Sequence, residues 1–159
     1  MLNDVATIRI AAPLRACSFQ RGFTAIELLI VMAIAGILGS VAYPGFKDQI
    51  AKARRTDALV AMTGVQLAEE RWRANRSSYG SLADIGVGGV SSAGHYALQI
   101  VSSSATGYQI LATAQGAQAQ DAACRHLRLS MDGASVGYAS GADPAVANAA
   151  AANRRCWSL

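Results

Sequence analysis

From Phe23 to Tyr43 the chain runs through 21 residues, FTAIELLIVMAIAGILGSVAY, that carry a single charge, Glu27. A helix rises about 1.5 Å per residue, so this stretch covers roughly 30 Å, the hydrocarbon thickness of a bilayer. No other stretch approaches it, and it divides the chain into a leader of 22 residues, the apolar run, and a larger C-terminal part. The leader holds Arg9, Arg15 and Arg21 against Asp4, so without it the net charge falls from +4 to +2. Charged residues make up 15% and hydrophobic residues 52%, which argues against a disordered chain and against a surface densely covered in basic residues, though not against a local basic patch. With aromatics at 6% and alanine abundant, the core is expected to be modest.

Beyond the run the periodicity changes twice. Pro44 removes a helical donor and crowds the carbonyl of Ser40, so a kink or break is expected there. Phe46 to about Ala74 then reads as an amphipathic helix, with Phe46, Ile50, Ala53, Val60, Ala61, Leu67, Ala68 and Trp72 on one broad stripe. Lys47, Lys52, Arg55, Glu69, Glu70 and Arg73 lie mostly off the stripe, while Asp57 interrupts it. NRSSYGS, from Asn75, has loop composition. Tyr96–Val101, Tyr108–Ala114 and Leu127–Met131 read as strands, and Asp132-Gly133 offers a tight turn into Ala134–Tyr138. The expected fold is therefore α+β: a long N-terminal helix whose second half covers a small antiparallel sheet of three or four strands. Ala139–Ala152 shows no period and reads as a loop.

An apolar run near the N-terminus fits a signal anchor, or a signal peptide cleaved after Ser40-Val41-Ala42. Basic residues flank it on both sides, so charge placement leaves orientation open. A bond between Cys124 and Cys156, which both follow the run while Cys17 precedes it, would need an oxidising compartment and would contribute about 3–4 kcal/mol. Two unpaired buried thiols are the alternative. Glu27 is what a plain anchor leaves unexplained. A carboxylate at mid-bilayer costs roughly 2.5–3.5 kcal/mol, and no basic residue lies in the run, so it either sits near an interface or pairs with another chain. Ala35/Gly39 and Gly36/Ser40 give the small-xxx-small spacing that lets helices approach closely.

Arg21-Gly22 followed by Phe23-Thr24-Ala25-Ile26-Glu27-Leu28-Leu29-Ile30-Val31 resembles the class III leader junction of type IV pilins and related pseudopilins. The resemblance implies cleavage between Gly22 and Phe23 by prepilin peptidase and N-methylation of Phe23. It also puts Glu27 in the assembly position and Pro44 at the place of the family's helix-kinking proline. Ala42–Met62 is similar to the proximal helix of PilE-type pilins and minor pilins. The two late cysteines, with Cys156-Trp157 near the end, resemble the disulfide-bounded region of the pilin fold. Three segments are thus expected: a removed leader (1–22), a transmembrane and assembly helix (23–43), and a periplasmic or extracellular globular domain (44–159) that includes the amphipathic helix to about residue 75.

The function that the resemblance implies is that of a major or minor pilin in a type IV pilus, with roles in adhesion, twitching motility or DNA uptake. The chain would sit in the inner membrane as a single pass with its N-terminus cytoplasmic, then enter the extracellular pilus of a Gram-negative bacterium. Its partners would be other pilin subunits, prepilin peptidase and the inner-membrane assembly platform. The family usually has Leu where Ala25 stands, and a shorter basic leader. A type II secretion pseudopilin and a DNA-receptor minor pilin of natural competence are the alternatives.

Other motifs carry less chemistry. Gly133-Ala134-Ser135-Val136-Gly137 matches a nucleophile elbow, but it follows a hairpin turn and no histidine comes after His126. His95 and His126 are expected on the surface or in loops, and no Cys/His spacing resembles a zinc site. Gly86-Val87-Gly88-Gly89 lacks the third glycine of a phosphate fingerprint. No cofactor, metal or enzymatic activity is expected. Arg125 and Arg128 beside Cys124, with Arg154 and Arg155 beside Cys156, would converge if the cysteines pair. They form either a solvated basic surface or a contact site for DNA phosphates.

Overall fold

The computed structural model describes residues 22–157; expectations that fall on residues 1–21, Cys17 among them, lie outside the described residues. The first element, α1, runs from Ala25 to Arg73. Thr24 starts it, accepting the Glu27 N–H on Oγ1 at 3.3 Å. Thr24-x-x-Glu27 has the spacing of a capping box, and the acid in the first turn suits the positive end of the helix dipole. A kink or break was expected at Pro44; the helix runs through it unbroken. Proline deletes one backbone bond, a loss that a long helix tolerates when the bonds on either side of it are kept, as in membrane helices that contain proline.

The chain divides into two units between Gly39 and Ser40. In the first, every described residue is exposed. The second contains a four-stranded antiparallel meander, β1 (Tyr96–Ser103), β2 (Gly107–Ala114), β3 (His126–Asp132) and β4 (Ser135–Gly141), in spatial order β1-β2-β3-β4. A bulge interrupts the β1–β2 register between Ile100 and Ser102. At the β1–β2 turn only glycine fits position 107, because a Cβ there would lie 2.2 Å from the Met131 carbonyl oxygen. Gly133, at φ +57, makes the Asp132–Ser135 turn as expected.

The inner face of the sheet follows from the register. Leu98, Ala112 and Leu127 form one row across the strands, and Ile100, Ile110 and Leu129 form the next. Ala58, Met62 and Val65 of α1 are buried in the same cluster. With Arg55 and Glu69, also buried, they make the i, i+3, i+4, i+7 row that faces the sheet. This corrects the expected stripe. Arg55 and Glu69 were placed off it yet are covered, whereas Phe46, Val60 and Leu67 were placed on it yet are 64%, 62% and 53% exposed. The helix carries two apolar rows, and only one meets the sheet.

Asp57, which interrupts the expected stripe, fastens the loop ahead of β1. Its carboxylate accepts bonds from the Ser91 and Ser92 hydroxyls and from the N–H groups of Ala93 and His95. Burial opposes its ionisation, but these four donors outweigh burial and hold its pKa below the usual 3.8. A carboxyl with a lowered folded-state pKa adds stability above its unfolded pKa and loses it as pH falls through the folded value. Asp57→Ala is therefore expected to cost about 1–2 kcal/mol at neutral pH. That deficit should shrink in acid, and denaturant titrations of both proteins across the acidic range check it.

The tail also departs from expectation. Within 139–152, read as a loop, β4 extends to Gly141 and a second helix, α2 (Ala150–Trp157), begins at Ala150. Asn153 Nδ2 donates to the Tyr138 carbonyl and Trp157 Nε1 to that of Ala139, while the Tyr138 and Trp157 rings pack with centroids 4.8 Å apart. His126, expected at the surface, is 8% exposed in β3. Burial, then the neighbouring Arg125 charge, lowers its pKa.

Candidate functional site

Two regions carry candidate residues: the apolar N-terminal turns and the cystine end of the sheet. In the first, Phe23 is 77% exposed, and none of the large apolar side chains from Ile26 to Val41 is covered by the chain itself. A stretch this long and apolar is long enough to cross a membrane. An exposed apolar surface of this extent marks a membrane or partner contact. Glu27 lies in the first turn of α1 among these residues, and Pro44 lies within the same helix.

At the cystine end, Cys124 and Cys156 are joined by a disulfide, with their Cα atoms 5.4 Å apart, and both are fully buried. The bond ties the 3-10 turn Ala122–Cys124 to α2. Asn148 Nδ2 reinforces the junction by donating to the Ala123 carbonyl and to Ser140 Oγ. Arg125 follows one bonded cysteine in sequence and Arg155 precedes the other. Arg125 Nε donates to the Ala119 carbonyl. Arg128 stands on the outer face of the sheet, in register between Leu111 and Ala139. Arg154 and Arg155 are exposed in the last turn of α2, where cations suit the helix dipole.

A buried network that sequence reasoning missed positions this end. Arg55 Nε pairs with Asp121 Oδ2 at 2.6 Å, and Arg55 Nη1 donates to the Arg155 carbonyl at 3.2 Å. Gln118 Nε2 donates to the Ala51 carbonyl, to the Tyr96 hydroxyl and to Asp121 Oδ2. Burial pushes the Tyr96 hydroxyl up to about 12, so it stays protonated at neutral pH. Arg55 and Asp121 are only 8% and 9% exposed; removing either would strand a buried charge, a strongly destabilising change. One-dimensional spacing gave no sign of the pair, since its members are 66 positions apart. Glu69 is the other buried acid. Its Oε2 accepts the Gly80 N–H, and burial raises its pKa. Gly133-Ala134-Ser135-Val136-Gly137 lies on the β3–β4 hairpin, whereas a nucleophile elbow requires a strand, a turn and a helix.

A profile of the prokaryotic N-terminal methylation motif matches residues 17–43, which take in the Gly22–Phe23 junction and Glu27. A second profile, described as type IV minor pilin ComP, DNA uptake sequence receptor, matches residues 44–128, more than half of the chain. The chain belongs to the ComP minor pilin family. This pilin is also similar to the type IV major pilin protein PilE1 of Neisseria gonorrhoeae, 40% identical over 70 residues that cover 40% of this chain and 42% of that protein. A fimbrial protein of Moraxella nonliquefaciens is 38% identical over 71 residues, covering 45% of this chain and 46% of its own. The major fimbrial protein FimA of Dichelobacter nodosus is 42% identical over 50 residues, covering 31% of each. The pilin thus spans less than half the length of the curated relatives it matches. Its long N-terminal helix and four-stranded antiparallel sheet give it an α+β, pilin-like architecture.

Proposed function

We propose that this pilin is a minor subunit of a type IV pilus. Residues 23–43 hold it in the inner membrane, single-pass with its N-terminus cytoplasmic, until prepilin peptidase cuts between Gly22 and Phe23. The observation that carries this reading is the wholly exposed apolar helix placed directly behind a methylation-type junction. Water does not tolerate such a surface; a bilayer covers it first and neighbouring subunits cover it afterwards. Cleavage frees the Phe23 amine, which stays cationic when methylated, and Glu27 of an adjoining copy neutralises it. Since an unpaired charge in that setting is penalised, the pair selects the register in which subunits add. The assembly platform and other pilin subunits are the partners. Fibre recovery from cells expressing Glu27 variants tests the pairing.

A second reading is favoured by the family match over residues 44–128, whose description is a DNA uptake receptor. In it, Arg125, Arg128, Arg154 and Arg155 contact phosphates of duplex DNA after the pilus has left the cell. Phosphate contacts of this kind release counterions, so binding weakens steeply with salt. Arg154→Glu with Arg155→Glu in the full chain is expected to lower DNA affinity at least tenfold in low salt and to flatten the salt dependence. Fluorescence anisotropy with a labelled duplex reads both, and an unchanged salt slope would remove the basic patch from the account.

A further inference from the structure

The second unit contains a cavity of about 510 Å³ between the turns of α1 that follow Tyr43 and the segment around Gln118–Ala123, with Arg155 at its side. That volume suits a small ligand group. Its walls have two characters. Tyr43, Phe46 and Ile50 are apolar, whereas Lys47, Arg54 and Arg155 bring three cations. Two acids line it as well, Asp48 and Asp121, but Asp121 is committed to Arg55. Among the described residues Arg55–Asp121 is the sole ion pair, so the three cations face one uncommitted carboxylate, Asp48. Lys47 has its ammonium 4.9 Å from the centroid of the Tyr43 ring.

We propose that this cavity binds the phosphate headgroup of an anionic phospholipid, with Lys47, Arg54 and Arg155 on the phosphate and Phe46 and Ile50 against the first carbons of an acyl chain. A bare phosphate would leave the apolar wall in water, and an apolar peptide would leave the cations unpaired; an amphiphilic anion satisfies both. Location supplies the second argument. Tyr43 closes the apolar run and lines the cavity, and Lys47 follows one turn later. In a chain anchored by residues 23–43, tyrosine and lysine at that point lie at the depth of the lipid phosphates. The proposal rests on that membrane reading. Such a site would orient the waiting subunit on the leaflet and release it when it moves into the filament.

The test uses the full chain in phosphatidylcholine vesicles containing spin-labelled phosphatidylglycerol or spin-labelled phosphatidylcholine, and reads the fraction of each label immobilised by the protein. Wild type is expected to select the anionic lipid. Lys47→Gln with Arg54→Gln should lower that selectivity about fivefold per cation, since each contributes on the order of 1 kcal/mol at an anionic surface. Asp48→Asn should raise it, and Arg71→Gln, an exposed cation elsewhere on α1, should leave it unchanged. Equal selectivity in wild type and the double variant would overturn the proposal, as would an equal loss in Arg71→Gln. Displacement of the label by inorganic phosphate would assign the cavity to free phosphate, and displacement by duplex DNA would assign it to nucleic acid; either overturns the lipid. Self-association lost with the two cations, without any lipid selectivity, would assign it to a second copy and do the same. A chain that fails to enter pure phosphatidylcholine vesicles removes the anchor and this site together, whereas insertion without selectivity removes the site alone.

Discussion

Replacing both Cys124 and Cys156 with serine is expected to destabilise the globular part by about 3–4 kcal/mol and to lower its melting temperature by on the order of 10–20 °C. The bond closes a loop with a sequence separation of 32, and the chain-entropy estimate for a loop of that size gives the first figure. The local structure concentrates the loss. α2 begins at Ala150 and has 8 residues, too short to persist without tertiary support. Trp157, which packs on Tyr138, and Arg154 and Arg155 all depend on it. Thermal denaturation followed by circular dichroism, with and without reductant, measures the effect. Reductant should bring wild type down to the double variant and leave the variant unmoved. A loss below about 1 kcal/mol would mean that Asn148, Asn153 and Trp157 hold the tail without the bond.

The second large effect is expected from Glu27→Gln. The amide keeps the volume and the helical setting of the first turn, so the subunit should fold, enter the membrane and be cleaved normally. On the proposed pairing, it leaves a neighbour's Phe23 amine without its counter-charge. Stranding one member of a covered charge pair costs roughly 3–5 kcal/mol, which at equilibrium is a depletion of more than about a hundredfold. Quantitative immunoblotting of sheared filaments against membranes should therefore find the variant accumulating in the membrane fraction. Fibre incorporation at the wild-type level would show that the acid serves only the start of α1, where its N–H bonds to Thr24 and its charge suits the helix dipole. Glu27→Asp separates the two roles: it keeps the charge but shortens the reach, so it should assemble better than the amide.

Features written along one dimension were legible in the sequence. The apolar run, its lone acid, the junction before it and the strand-like stretches are all local patterns; β1, β2 and β3 form over the stretches read as strands, and β4 follows the Asp132-Gly133 turn. The rotation of α1 was not legible. Phe46, Ala53, Val60 and Leu67 recur every seventh position and draw the eye to their face, yet the row packed on the sheet is Arg55, Ala58, Met62, Val65 and Glu69. Two polar members of that row meet partners outside the helix, Arg55 through Asp121 and Glu69 through the Gly80 N–H on one of its two oxygens, which no pattern within the helix reveals. Asp57 only interrupted the expected stripe, and its role in fastening the Ser91–His95 loop appears from contacts with residues more than thirty positions away. The tail gave no signal because alanine and asparagine repeat without period. Its helix is set by the cystine and by contacts with β4 made only after the sheet exists. The cavity beside Tyr43 was invisible for a similar reason, since its far wall comes from residues more than sixty positions away.

On the proposed function, residues 23–43 remain on the mature protein as its membrane and assembly helix. Intact-mass and N-terminal peptide mass spectrometry of the protein recovered from membranes and from filaments tests it most directly. The expected mature chain begins at Phe23 and carries one methyl group on its amine. A chain beginning at Tyr43, without the apolar run, would contradict it.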